Sequence, residues 1–138
     1  MNDCLVALKK RFLSEPYAKI FGIEMVELEE GRVILRMKTS ANMNNIFDCT
    51  HGAAIYSLID SAFGLAANSC GSMAVALSAN VNYLSAPRLG EALQAVGQEV
   101  NRSRKISACT ITVTGEDGRL IATCHALAYR KERALPFL

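Results

Sequence analysis

A carboxylate set among hydrocarbon side chains is the first residue in this sequence that calls for a chemical reason. Asp60 lies in the stretch GAAIYSLIDSAFGLAANSCG, flanked by Ile55, Leu58, Ile59, Phe63 and Leu65, where a charged group costs free energy unless something offsets it. Ser57 and Ser61 are the small polar residues that share the segment from Gly52 to Ala67, so no solvated stripe accompanies the acid. A lone helical Asp most often faces water or pairs with a base. One this isolated is equally a candidate nucleophile or general base, since a desolvated carboxylate is more reactive than one in water and can attack a carbonyl or activate water.

The start of the same segment offers the complementary chemistry. Thr50 and His51 lead into Gly52 and Ala53, and the N–H groups of a first helical turn have no intrahelical acceptor and carry the positive end of the dipole. The N–H of Gly52 or Ala53 can hold a developing oxyanion, with Gly52 permitting close approach; the same groups also serve as a plain helix cap. Asn45 and His51, in the preceding loop, supply an amide that can orient water or a carbonyl and an imidazole that can contact a leaving group. Both residue types are also common structural elements of loops.

Spacing limits how these parts combine. Gly52 and Asp60 are eight residues apart, about 12 Å along a helix, too far for both to touch one carbonyl. If both act on one substrate, Asp60 comes from a neighbouring subunit and a two-fold dimer carries two composite sites.

Other combinations are weaker. Arg102, Arg104 and Lys105 cluster near a turn and, with Arg88, could meet phosphates; solvated loops are the plainer reading. Cys49 stands two residues from His51 without an evident third group to orient the pair. Cys124 and His125 are adjacent in a predicted strand, which sends them to opposite faces. The five cysteines are odd in number, form no C-x-x-C pair and have only two histidines beside them, against a disulfide framework or a metal site.

The elements that must position these residues follow from periodicity. Leu5, Val6, Leu8, Phe12 and Leu13 give a short N-terminal helix over 3–13, stopped by Pro16. Ile23 to Leu28 and the alternation of Val33, Leu35 and Met37 predict a hairpin around Glu29-Glu30-Gly31. After the irregular SANMNNIFDCTH comes the long apolar helix, about five turns closing at Gly71, and then strands over 75–84, 93–100, 107–113 and 120–129, with Asp117-Gly118 as a hairpin turn. One apolar helix among antiparallel strands lies most economically on a sheet that wraps it, which gives the α+β class. A single domain spans 1–138, since no repeat or linker interrupts it.

Composition narrows the functional classes. A 51% hydrophobic share with 20% charged residues is high for a small soluble monomer and points to surface covered by a partner copy. A net charge of +2 and scattered aromatics argue against nucleic acid. The N-terminus has an acid at position 3 and no long uncharged run, unlike a signal peptide or membrane span, so a cytoplasmic protein is expected.

Asn45, His51, Gly52, Ala53 and Asp60, as set out in NIFDCTHGAAIYSLIDSAFGLAANS, resemble the hotdog-fold thioesterases of the phenylacetate-degradation type. ANVNYLSAPRLGEALQA and GRLIATCHALAYR extend the resemblance over roughly residues 20–130. It implies a hotdog fold, one long central helix wrapped by a six-stranded antiparallel sheet, and hydrolysis of an aryl-acetyl or medium-chain acyl-CoA. Asp60 would then be nucleophile or general base, Gly52 the oxyanion donor, Asn45 a positioning residue and His51 a contact near the thioester. Ala53, Ser61, Arg88, Arg104 and Lys105 are the expected substrate contacts, with no cofactor beyond the CoA carried by the substrate and with a homodimer or homotetramer as the assembly. A hydratase or dehydratase of the same shape and a non-catalytic acyl-CoA-binding module are the rival readings. Ala53 stands where the family usually has a second glycine, which bears on acyl specificity, and the tail KERALPFL (131–138) has no counterpart and no assigned function.

Overall fold

The computed structural model describes residues 2–138. Two short helices, α1 (Asp3–Leu13) and α2 (Pro16–Phe21), precede the hairpin β1 (Glu24–Glu29) and β2 (Arg32–Lys38). The long helix α3 (Gly52–Asn68) then leads into β3 (Ser72–Tyr83), β4 (Ala92–Arg102), β5 (Ile106–Thr114) and β6 (Leu120–Ala134). The six strands form one antiparallel sheet in the order β1-β2-β4-β5-β6-β3. α3 lies across its concave face. The expected order and class are those observed.

Alternation in the sequence becomes burial in the structure. Leu93, Ala95 and Gly97 on β4, Cys109, Ile111 and Val113 on β5, and Ala122, Cys124, Ala126 and Ala128 on β6 all point inward and are buried. They pack against Ala54, Ile55, Leu58, Ile59, Ala62, Phe63 and Ala66 of α3. A fully buried Leu or Ile side chain contributes roughly 1.5–3 kcal/mol, so packing rather than helix propensity holds α3 in place. The opposite orientation of Cys124 and His125 follows the pleat: the first is buried and the second exposed.

Polar side chains pin the ends of α3. At its C-terminal end Ser69 donates to the Ala66 carbonyl at 2.7 Å and accepts the Gly31 N–H at 2.7 Å, tying the β1–β2 turn to the helix. Asn68 donates to the carbonyls of Gly64 (2.8 Å) and Ala74 (3.1 Å) and accepts the Ala74 N–H at 2.8 Å, fixing where β3 begins. The helix therefore stops at Asn68, three residues before Gly71.

Three boundaries depart from the sequence-based reading. Pro16 stops α1 and also opens α2, where its missing N–H costs nothing. β3 and β6 run longer than expected because each supplies the other's hydrogen bonds from Ser72↔Ala134 to Tyr83↔Ala122. The supposed tail is thus strand as far as Ala134, and beyond it Leu135 is buried, its N–H bonded to the Gly71 carbonyl at 3.1 Å.

Gly97 is the point of closest approach between helix and sheet. A Cβ there would stand 2.9 Å from the Ala62 carbonyl oxygen and 3.1 Å from Val33 Cγ1. Gly97→Ala is expected to destabilise the fold by about 1–3 kcal/mol through this overpacking, read as a lower urea midpoint; an unchanged midpoint would show that α3 can lift off the sheet freely.

Candidate active site

The loop before α3 shapes the first half of the site. The Asn45 side-chain carbonyl accepts the N–H of Phe47 (2.8 Å) and of Cys49 (3.2 Å), and the Asn45 N–H donates to the Cys49 carbonyl at 2.7 Å. This closes a tight loop with Asp48 at φ 58 and leaves the Asn45 NH2 without a protein partner among the described residues. Asn44 and Thr50 bridge at its base, and the His51 N–H donates to the Met43 carbonyl at 2.7 Å. Rigid backbone therefore delivers the first turn of α3.

At that turn the two candidate oxyanion donors part ways. His51 Nδ1 accepts the Ala53 N–H at 2.9 Å, capping the helix. Ala53 is thus committed to the cap, whereas the Gly52 N–H has no acceptor among the described residues. A capping imidazole with Nδ1 as acceptor carries its proton on Nε2, so His51 keeps one outward donor. The Cys49 thiol interacts with the Phe47 carbonyl at 3.6 Å, so Cys49 and His51 are not paired as nucleophile and base.

Gly52, Asn45 and Cys49 share a cavity of about 360 Å3 with Tyr83, Ser85 and Pro87. The ring of Tyr83 closes over Gly52, where a Cβ would meet it at 3.5 Å. Asp60 is elsewhere. It lines a second cavity of about 510 Å3 with Ser61, Gly64, Leu65, Phe12 and Phe137, and it has no hydrogen bond or ion pair among the described residues. Its side chain is open to solvent in the isolated chain, yet the surrounding protein pushes its carboxyl above the usual value by desolvation. Tyr56, one turn earlier on the same face, is raised by burial first and then by the charge of Asp60; its phenol stays protonated beside the carboxylate.

The basic residues expected to contact substrate are engaged with acids. Arg104 and Lys105 both pair with Glu132, Lys105 at 3.1 Å, and Arg102 pairs with Glu99 at 2.6 Å. The Arg104 turn neighbours the Val75 end of β3 through Ile106↔Tyr129↔Val75. Gly52 abuts Tyr83, eight residues farther along, roughly 26 Å at strand rise. Arg88 pairs with Asp117 at 3.2 Å across an exposed gap, next to Pro87 on the wall of the smaller cavity. Three residues after it comes Glu91, whose carboxylate accepts the Arg88 and Glu116 N–H groups and an Arg119 N–H and is held below the usual range chiefly by the Arg88 backbone bond. Tyr83, Tyr56 and Phe137 went unnoticed in the sequence because what places them is long-range pairing and packing. No cluster of three or more metal-ligating side chains occurs among the described residues, nor does any helix among them have the length and apolarity to cross a membrane.

A family profile described as the thioesterase superfamily matches residues 47–122, the stretch that runs from the Asn45 loop through α3 to the start of β6. The chain belongs to the thioesterase superfamily. The acyl-coenzyme A thioesterase PaaI of Escherichia coli is 28% identical over 113 residues, covering 82% of this chain and 81% of that protein. The solved structure of E. coli PaaI superposes with a TM-score of 0.91 at 24% identity, covering 95% of each chain. A Streptococcus mutans protein solved with bound acetyl-CoA matches with a TM-score of 0.79 at 28% identity, over 82% of this chain and 91% of that one. The architecture is the hotdog fold, and this thioesterase is a thioester hydrolase.

The raised carboxyl of Asp60 has a thermodynamic sign. A group whose folded pKa lies above its unfolded one penalises the fold when ionised, so the penalty is absent below the unfolded carboxylate range and complete above the folded pKa. Asp60→Asn in this thioesterase is therefore expected to raise the urea midpoint at neutral pH, at fixed protein concentration, with the gain falling as pH drops through the raised carboxyl range and gone by about pH 4. A lower midpoint at neutral pH would reveal a stabilising partner for the carboxylate.

Proposed function

We propose that the protein hydrolyses acyl-CoA thioesters at sites shared between two copies of the chain, with Asp60 of one subunit acting on a carbonyl held by the Gly52 N–H of the other. The observation that carries this reading is the separation of the two groups: Gly52 and Asp60 line different cavities of one chain, about 12 Å apart along one helix. The names of the relatives, an acyl-coenzyme A thioesterase and a protein crystallised with acetyl-CoA, support CoA as the leaving group.

A second copy has a place to dock. β3 is twelve residues long, pairs with no strand but β6 and, beyond the Asn68 side chain that bonds Ala74, leaves its other edge open, and an open edge is a template for another strand. Beside it stand the exposed side chains of Leu77 and Tyr83 on β3 and of Tyr56 on α3. A partner covering this strip would bury Asp60 further, which raises its carboxyl again and sharpens it as a base.

Two routes fit the groups. As general base, Asp60 takes a proton from water, the hydroxide adds to the carbonyl carbon, the oxyanion rests on the Gly52 N–H, and collapse expels the CoA thiolate. As nucleophile, an Asp60 oxygen adds instead, CoA leaves, and water then cleaves the mixed anhydride. The His51 Nε2–H stands at the same helix end to meet the departing sulfur, and the Asn45 NH2 is free to hold water or substrate. Arg88 would exchange its exposed Asp117 partner for a CoA phosphate.

The test is turnover of short, medium and aryl acyl-CoAs by wild type, Asp60→Asn and Gly52→Pro. Proline at the first helical position removes the N–H without breaking the helix, its Cβ meeting the Tyr83 ring at an ordinary 3.5 Å, and His51 at φ −63, ψ 138 already has a backbone compatible with a following proline. Asp60→Asn is expected to lose roughly 10²–10⁴-fold in kcat, and Gly52→Pro about 10²–10³-fold. Mixing the two inactive proteins through unfolding and refolding should restore about a quarter of the wild-type rate, because half the dimers are mixed and each mixed dimer holds one intact site. No restoration, or a stable active monomer in sedimentation, would sink the shared site; saturable acyl-CoA binding without any turnover would favour a binding module.

A further inference from the structure

Gly64 sits in the middle of α3, where glycine is the least favourable residue apart from proline, and no contact explains it. A Cβ at Gly64 would meet nothing within 4 Å, in contrast to Gly97. The space above it is the 510 Å3 cavity that Asp60 lines. Asp60, Gly64 and Asn68 follow one another at four-residue intervals, so they form a single stripe on the helix, about 12 Å long. Gly64 is the floor of a groove that starts at the carboxylate. Its walls are mainly apolar, among them Phe12 of α1, Leu65 of α3, Met73 of β3 and Phe137 beyond β6, and Arg11 and Glu15 line it as well. Of these, Arg11 sets its guanidinium 5.6 Å from the centre of the Phe137 ring.

We infer that this groove is the acyl pocket and that it selects extended medium-chain acyl groups over short ones. The inference rests on the shared-site reading above. There the thioester carbon lies between Asp60 and Gly52 of the partner subunit; the CoA arm leaves on the Gly52 side, and the acyl substituent continues past Asp60 into Asp60's own subunit. An extended chain advances roughly 1.2 Å per bond, so about ten carbons run the length of the stripe to Asn68. A two- or four-carbon acyl group never reaches the Phe137 end. One subunit thus grips CoA while the other reads the acyl chain.

The experiment pairs a binding measurement with a kinetic one. S-decyl-CoA, a thioether that cannot be hydrolysed, is titrated by calorimetry against wild type and Gly64→Leu with free CoA as reference, and kcat/KM is measured for acetyl- and decanoyl-CoA. Wild type is expected to bind S-decyl-CoA at least about tenfold tighter than CoA, since each buried methylene adds affinity. Gly64→Leu starts from a Cβ that meets nothing within 4 Å and extends into the cavity, and it should erase that preference, with the decanoyl-to-acetyl ratio of kcat/KM falling at least about tenfold. Phe137→Ala should move the preferred chain length upward. Equal binding of S-decyl-CoA and CoA by wild type overturns the pocket, as does a Gly64→Leu ratio equal to wild type. Conversion of Gly64→Leu to monomers in sedimentation also overturns it, by showing that a partner subunit fills the space. Decyl-dependent binding that Gly64→Leu abolishes, in a wild type that hydrolyses no acyl-CoA, would uphold the pocket and remove the hydrolytic reading alone.

Discussion

Helix α3 lies so close to the sheet that a methyl group on Gly97 would press on its backbone, and from that contact the rest follows. A helix held at such short range cannot roll, because turning it would swing Leu58, Ile59, Ala62 and Phe63 out of the volume they fill against Leu35, Leu93 and Ile111. With the roll fixed, the stripe of Tyr56, Asp60 and Gly64 is the one left facing away from the core. The acid is therefore placed by the packing of its neighbours and not by any bond of its own.

The polar contacts at the ends of α3 do for its length what packing does for its rotation. His51 caps the first turn, and Ser69 and Asn68 lock the last one to the β1–β2 turn and to the start of β3. Gly52 and Asp60 are consequently fixed at a separation no local movement can close. In the proposed reading, a chain that holds these two groups so firmly apart gains precision at each and leaves the joining of the two to the symmetry of an assembly.

Much of this was legible in the sequence because it depends on local pattern. Alternation along β2, β4, β5 and β6 announced the sheet, the run of small and apolar residues announced α3, and Asp60 stood out as a charge in the wrong company. What the sequence concealed is non-local. That His51 takes the Ala53 N–H and leaves the Gly52 N–H free depends on a rotamer. That Arg104 and Lys105 are already paired depends on Glu132, more than 25 residues away and brought near by the pairing of β5 with β6. The role of residues 135–138 was invisible for a similar reason: Leu135 and Phe137 acquire meaning only through Gly71, Arg11 and Phe12, which the chain reaches after the whole sheet has formed.

The outer wall of the Asp60 cavity is built from α1 and from residues 135–137, which belong to neither the sheet nor the central helix. Leu8, Phe12 and Leu135 are buried in the core, so it is the exposed and half-buried positions of these segments, such as Phe137, that can change without disturbing the sheet and α3. In the proposed reading, α3 and the sheet hold the reacting groups while α1 and residues 135–137 meet the acyl end of the substrate, so the choice of compound can change at a few wall positions while the reacting groups stay where they are.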